Sequence, residues 1–264
     1  MKHILITGST RGIGFGLAKR FLEAGLRVTI NGTTQPNVDM AVEKLRTMFP
    51  SGQIQGFAAN VSNKNEVEAL WENTSKGFDK IDIWINNAGI DQPHKKTWDI
   101  DPESIGNLIG TNITGVIHGS IVAFTGMMKQ GEGQIFNMEG FGSDGMMMRN
   151  MTVYGTSKRA VRYFTRSMSK EAIHSPVRIG TLSPGMVMTD FLLKSLKENP
   201  AEAEKNKKIF NILADDVDTV THFLSVEILK NTKNNAHIAW LTKQKVMWRF
   251  MKSLFVKRDL FKLQ

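Results

Sequence analysis

The chain of 264 residues contains no cysteine. Disulfides, thiolate nucleophiles and cysteine-based zinc sites are excluded. No metal site is expected, and a reducing compartment, by default the cytoplasm, is the expected setting. Also missing is any apolar run approaching the ~20 residues that span a bilayer. The opening MKHILITG lacks the apolar region and small-residue cleavage site of a secretory signal, and reads instead as a strand entering a glycine turn. Neither an internal repeat nor a low-complexity linker is visible, so a single domain with a large core is expected at this length.

Charge is unbalanced, with 34 Lys and Arg against 25 Asp and Glu, a net +9. Such an excess suits nucleic acid, an anionic membrane surface or an anionic cofactor. Much of it lies in the final TKQKVMWRFMKSLFVKRDLFKLQ rather than in a stripe along the body, and no nucleic-acid-binding motif is present. Nucleic acid is therefore not an expected partner.

Short apolar, β-branched runs recur with helical-period segments between them: KHILITG, RVTING, QIQGFAANV, IDIWINNAG, GQIFNMEG, VRIGTLSPG and NAHIAWLT. Seven strands alternating with helices predict an α/β fold, a single-domain, Rossmann-type doubly wound parallel sheet. Helices are expected over 14–24, 38–48, 64–77, 102–129, 153–174 and 216–230. The domain is expected to span 1–242, and the stretch 191–213, outside the alternation, is a candidate lid over the carboxyl ends of the strands. Residues 243–264 form a separate basic extension.

The segment LITGSTRGIGFGLAKRF places Gly8, Gly12 and Gly14 between the first strand and the first helix. Glycine permits a tight turn and close backbone approach to a pyrophosphate, and the helix N-terminus supplies free N–H groups and a favourable dipole. The spacing differs from the usual dinucleotide GxGxxG. With Asn86-Asn87-Ala88-Gly89, Asn112 in GTNITG, the pair Tyr154-x-x-x-Lys158 and SPGMVMT, it resembles the short-chain dehydrogenase/reductase family over nearly the whole chain. That resemblance implies a nicotinamide cofactor, a small-molecule carbonyl substrate and a homodimer or homotetramer.

The expected cofactor bed comprises Gly8, Ser9, Thr10, Arg11, Gly12, Ile13 and Gly14 of the turn, with Thr33 after the second strand. By resemblance, Asn60 and Val61 flank the adenine, Asn87, Ala88 and Gly89 line the bed, and Pro184, Gly185, Val187 and Thr189 complete it. Asn31, Gly32, Thr33 and Thr34 offer no carboxylate to repel a 2′-phosphate, and Arg11 adds a cationic fork suited to one. NADP(H) is the expected cofactor.

Tyr154 and Lys158 lie four apart at the start of a predicted helix and so share a face. A neighbouring ammonium stabilises a phenolate and lowers the phenol's pKa from ~10, which fits the pair for acid/base work. The resemblance implies that Tyr154 donates the proton, Lys158 also holds the nicotinamide ribose, and Asn112 supports a water relay to the lysine. The serine that family members use to bind the carbonyl oxygen aligns near Gly140, in IFNMEGFGSDG, which has no hydroxyl. Ser143 curling back, backbone N–H groups of the glycine-rich loop, or a chain that binds cofactor without turnover are the three readings.

The same segment, with VYGTSKRAVRYF and LSPGMVMTDFL, resembles the chlorophyll b reductase branch of the family, where an NM(D/E)GxGS segment occurs. The implied activity is NADPH-dependent reduction of an aldehyde or ketone on a large hydrophobic substrate, with the 7-formyl group of chlorophyll(ide) b as one candidate. Met146, Met147 and Met148 offer an adaptable apolar wall. Reduction of a 3-oxoacyl thioester, a hydroxysteroid or a sugar, and a non-catalytic NADP-binding regulatory role, are the alternatives. In the tail, Val246, Met247, Phe250, Met251, Leu254 and Phe255 recur at helical spacing among Lys245, Arg249 and Lys252. The expectation is a helix that buries its apolar face against protein, with peripheral membrane contact as the second reading.

Overall fold

Strands this short and apolar have few ways to bury both faces, and the chain adopts one of them. The computed structural model describes residues 1–189, 200–256 and 258–259. Strands β1 (His3–Ile6), β2 (Arg27–Gly32), β3 (Ile54–Ala58), β4 (Ile83–Asn86), β5 (Gly133–Met138), β6 (Val177–Ser183) and β9 (Ala236–Ala239) form one sheet in the order β3-β2-β1-β4-β5-β6-β9. Every pairing in it is parallel. The predicted seven-strand, doubly wound sheet is the fold observed.

Alternation along the strands sorts the core. Ile4, Ile6, Ile83, Ile85, Phe136 and Met138 belong to one layer with Leu17 and Phe21 of α1 (Gly12–Glu23), Leu45 of α2 (Gln35–Met48) and Val220 and Leu224 of α8 (Val217–Lys230). Leu5, Trp84 and Ile135, on the other face, meet Val67 and Leu70 of α3 (Lys64–Phe78) and Val122, Ala123 and Met127 of α5 (Gly115–Gln130). Side chains two apart on a strand share a face, so each strand feeds both layers.

One predicted helix differs in detail. The 102–129 run is divided into α4 (Pro102–Ile109), a π turn at Gly110–Thr114 and α5. Asp101 caps α4, its carboxylate accepting from the Ser104 amide at 2.8 Å. The 102–130 stretch is long and apolar enough by length and composition to cross a bilayer, which the sequence reading did not anticipate. Leu108, Val116, Val122, Ala123 and Met127 within it are buried in this protein's core.

Helix α6 (Thr152–Glu171) follows β5. A minor parallel pair joins β7 (Val187–Met188) to β8 (Asp215–Asp216), and α7 (Pro200–Leu213) leads into β8. Of the candidate lid, residues 191–199 lie outside the described residues. The tail forms α9 (Lys243–Ser253), with the Thr242 hydroxyl accepting from the Lys245 amide. Because the seven strands are parallel, their carboxyl ends share one edge, where an α/β sheet of this order places its ligand crevice.

Candidate active site

At that edge, β1 runs into a turn that only glycine fits. Gly8 and Gly12 both have φ of 59°, a left-handed backbone. A Cβ on Gly14 would stand 2.7 Å from the Gly8 carbonyl oxygen and 2.5 Å from Asn87 Nδ2. That amide instead donates to the Thr7 and Gly8 carbonyls, each at 2.9 Å, while Thr7 Oγ1 accepts from the Asn87 and Ala88 amides at 3.0 and 3.1 Å. The ends of β1 and β4 are thus laced together beneath the N-terminus of α1.

The turn's polar side chains divide into two groups. Ser9 is buried, donating to the Ile6 carbonyl at 2.6 Å and accepting from the Asn31 amide at 2.9 Å, so its hydroxyl holds the turn. Asn31 is spent in the same way, its Nδ2 donating to the Phe57 and Ala59 carbonyls at 3.1 Å. Arg11 and Thr33 are exposed, Thr10 and Ile13 half-buried, and no carboxylate follows β2. Asn60 Oδ1 accepts from Ser62, and Val61 is buried against the Gly115 position. Two left-handed glycines, a third where any side chain would collide with the turn, free helix N–H groups and an exposed guanidinium fit an anionic dinucleotide.

Across the crevice, Gly89 marks where three elements meet. A Cβ there would lie 3.4 Å from Asn112 Oδ1 and 3.5 Å from Lys158 Nζ. The π turn aims Asn112 inward, where Oδ1 accepts from the Ile90 amide at 2.8 Å and Nδ2 donates to the Ile90 carbonyl at 2.9 Å and to Ser157 Oγ at 3.2 Å. Lys158 Nζ donates to the Met138 carbonyl at 3.3 Å and lies 5.7 Å from the centre of the Tyr154 ring. Burial pushes the Lys158 ammonium down to about 8, opposed by the Glu139 carboxylate. Burial, and then the Asp91 charge, push the Tyr154 phenol above its ordinary value.

The loop after β5 holds the position of the missing serine. Ser143 is buried, and its hydroxyl donates to Glu139 Oε2 at 3.0 Å. Glu139, its side chain 1% exposed, also faces Arg162 at 3.6 Å and His237 at 3.7 Å. Gly140, by contrast, lies against Tyr154: a Cβ there would be 2.6 Å from Tyr154 Oη. The amides of Gly140, Phe141 and Gly142 donate to no group among the described residues. Tyr154, Lys158, Asn112 and Gly140 therefore converge, and Ser143 turns toward Glu139.

Sequence reasoning missed two contributors. Gln92 is buried and its Oε1 accepts from the Tyr154 amide at 2.6 Å, while Nε2 donates to the Asn150 carbonyl at 2.8 Å. It supplies the cap that Met151, at the start of α6, does not. Asp91, which bears on Tyr154, pairs with His94 at 3.0 Å. Neither contact follows a motif, although the polar pair Asp91-Gln92, two residues after Asn87-Ala88-Gly89, is a signal that adjacency offered. Pro184 and Val187 are buried, Gly185 takes a φ of 71° against Leu241, and Thr189 lies near Gly12.

Residues 2–200 match the family described as short chain dehydrogenase. The chain is 36% identical over 84% of its length to the chloroplastic chlorophyll(ide) b reductase NOL of Oryza sativa subsp. japonica, covering 65% of that protein. It is 32% identical over 93% of its length to the probable chloroplastic chlorophyll(ide) b reductase of Arabidopsis thaliana, covering 52%. The chain thus spans roughly half to two thirds of these relatives. A short chain dehydrogenase of Burkholderia cenocepacia, solved in complex with NADP, superposes with a TM-score of 0.77 at 21% identity, covering 90% of this chain and 96% of that one.

Proposed function

The chain belongs to the short-chain dehydrogenase/reductase family, and from that premise we propose that it reduces the formyl group of a large, flat, apolar aldehyde with NADPH. The 7-formyl group of chlorophyll b or chlorophyllide b is the proposed substrate. The membership itself makes it an NAD(P)-dependent oxidoreductase acting on a carbonyl or alcohol group. The observation that carries the finer reading is Gly140. The Tyr154 phenol takes the room a side chain there would claim, so the acid is flanked by a loop of bare backbone past which a bulky aldehyde can approach, in a chain similar to two chlorophyll(ide) b reductases.

When bound, the reduced nicotinamide supplies hydride to the carbonyl carbon. The glycine turn and the N-terminus of α1 hold the pyrophosphate, and Arg11 receives the 2′-phosphate in a region without carboxylates. Tyr154 donates its proton to the carbonyl oxygen, which as an alkoxide is a far stronger base than a phenolate, so a raised phenol pKa does not prevent transfer. Lys158 lowers the cost of the phenolate left behind. Asn112 fixes the Ile90 backbone beside the lysine, where a water relay returns the proton to Tyr154. The Gly140–Gly142 amides receive the negative charge that develops on the oxygen. Aldehyde, hydride and proton together give the alcohol.

The test is NADPH consumption with chlorophyllide b beside an acetoacetyl thioester. Conversion of the formyl group, lost in Tyr154→Phe with NADPH affinity retained, is expected. Turnover of the thioester alone would transfer the reading to a general ketoreductase, and NADH serving as well as NADPH would remove the role given to Arg11.

A further inference from the structure

Helix α9 turns charge inward and apolar surface outward. Arg249 forms an ion pair with Asp215 at 2.6 Å and donates to the Leu213 carbonyl at 2.9 Å. Arg258 reaches the same carboxylate at 3.1 Å and the Ala214 carbonyl at 3.2 Å, and the Trp240 indole donates to it at 2.7 Å. Asp215, 7% exposed, is thus the anchor of the tail. The tail's apolar face, expected to lie against protein, is not covered by this chain. Met247, Trp248, Met251, Leu254 and Phe255, spaced along one helical face, are 54–87% exposed.

Charge decides what such a face can meet. No acidic side chain lies in Lys243–Ser253, Lys243 and Lys252 are exposed, and Lys252 Nζ sits 4.9 Å from the Trp248 ring. Pairing the face with its own copy in another subunit would set these lysines against their equivalents, since a two-fold contact is self-complementary. An anionic bilayer surface answers both features: acyl chains take the apolar side chains, headgroups take the lysines, and the indole sits at the boundary. β9 runs into α9 at the carboxyl edge of the sheet, with Leu241 against Gly185, so the helix starts at the same end of the molecule as the candidate active site.

We infer that α9 is a docking helix for an anionic lipid surface, with Met247, Trp248, Met251, Leu254 and Phe255 in the apolar boundary and Lys243 and Lys252 at headgroup level. The inference does not depend on which aldehyde is reduced. The full chain is sedimented with vesicles of phosphatidylglycerol and phosphatidylcholine in equal parts, and with phosphatidylcholine alone. Binding to the mixed vesicles that weakens with salt is expected, with Trp248→Ser and Leu254→Asp each reducing the bound fraction about fivefold or more. Because both side chains are exposed, the thermal midpoint and NADPH affinity of these variants are expected to be unchanged. No sedimentation with mixed vesicles, or equal sedimentation of both variants, overturns the inference. So does conversion of a dimer to a monomer in these variants with lipid binding intact, which would give the face to a second copy.

Discussion

A Cβ on Gly140 would stand 2.6 Å from the phenol oxygen of Tyr154 and 3.2 Å from Lys158 Cε and Cγ. The Tyr154 phenol occupies space that a side chain at this position would claim. The absence of a side chain at 140 is therefore part of the packing of Tyr154 and Lys158.

Gly140→Ala tests that relationship. Its φ is not among the left-handed ones, so the backbone accepts alanine, and the displaced group is the far end of a ring. The expected result is a thermal midpoint close to that of the parent and a kcat lower by about 10- to 100-fold, the scale of loss when a reacting group is misplaced by about 1 Å. Undiminished turnover of Gly140→Ala would show that the phenol position is not critical.

Ser143→Ala separates the loop's two possible oxygen-binding groups. A lost oxyanion donor costs about 100- to 1000-fold in kcat. Since the Ser143 hydroxyl is directed at Glu139, kcat is expected to stay within about threefold. The cost should appear instead in stability, on the order of 2 kcal/mol for a buried hydrogen bond to a charged acceptor. Steady-state kinetics and denaturant unfolding on one preparation decide the matter; a large fall in kcat at unchanged stability would return the oxyanion role to Ser143.

The period-two alternation of residues such as Ile4, Leu5 and Ile6, and the glycine spacing after them, made the sheet and the crevice legible from sequence. The same spacing that marks Tyr154 and Lys158 as one helical face also fixes their neighbourhood, because a parallel sheet collects its strand ends on one edge. What escaped was orientation. A π turn has no periodic signature, so the division at Gly110–Thr114 was invisible. Ser143 faces Glu139 because a carboxylate buried at the end of β5 needs a donor, a demand that exists only once the fold is made. The tail's helical wheel likewise could not say which side faces inward: two arginines on Asp215 outweighed the apolar stripe.

On the proposed mechanism, Lys158 is expected to set an alkaline limit on activity. Its ammonium, brought down to about 8 by burial, must stay protonated to support the phenolate. Turnover should therefore fall as pH rises past about 8. The group's effect on stability has the opposite sign: between about 8 and its ordinary 10.5 the unfolded chain holds a proton the folded chain lacks, so this contribution to stability rises with pH. Glu139→Gln removes the charge that opposes the shift, and the alkaline limb of the kcat profile should move to lower pH. A limb that stays in place would mean that Glu139 does not act on Lys158.

His3 sets an acid limit on the fold, far from the chemistry. Its side chain is enclosed between β1, β2 and the loop before β4, where Nδ1 lies 2.8 Å from the Lys80 carbonyl and Nε2 lies 2.8 Å from Thr29 Oγ1. A carbonyl can only accept, so Nδ1 carries the proton. Thr29 accepts from Gln55 at 3.0 Å, which leaves its own hydroxyl to donate to Nε2. Both ring nitrogens are satisfied in the neutral form, and a second proton would point at a donor. Burial accordingly lowers the His3 pKa from 6.5 to about 4. From pH 6.5 down to about 4 the unfolded chain takes up a proton that the folded chain refuses, so stability falls with falling pH, by on the order of 3 kcal/mol in all. His3→Gln should be less stable at pH 7 yet lose less on acidification, since it has no imidazole to charge. Denaturant midpoints measured from pH 7 to pH 4.5 on both proteins decide it: parallel curves would mean that His3 is protonated within the folded state and that the tautomer argument fails.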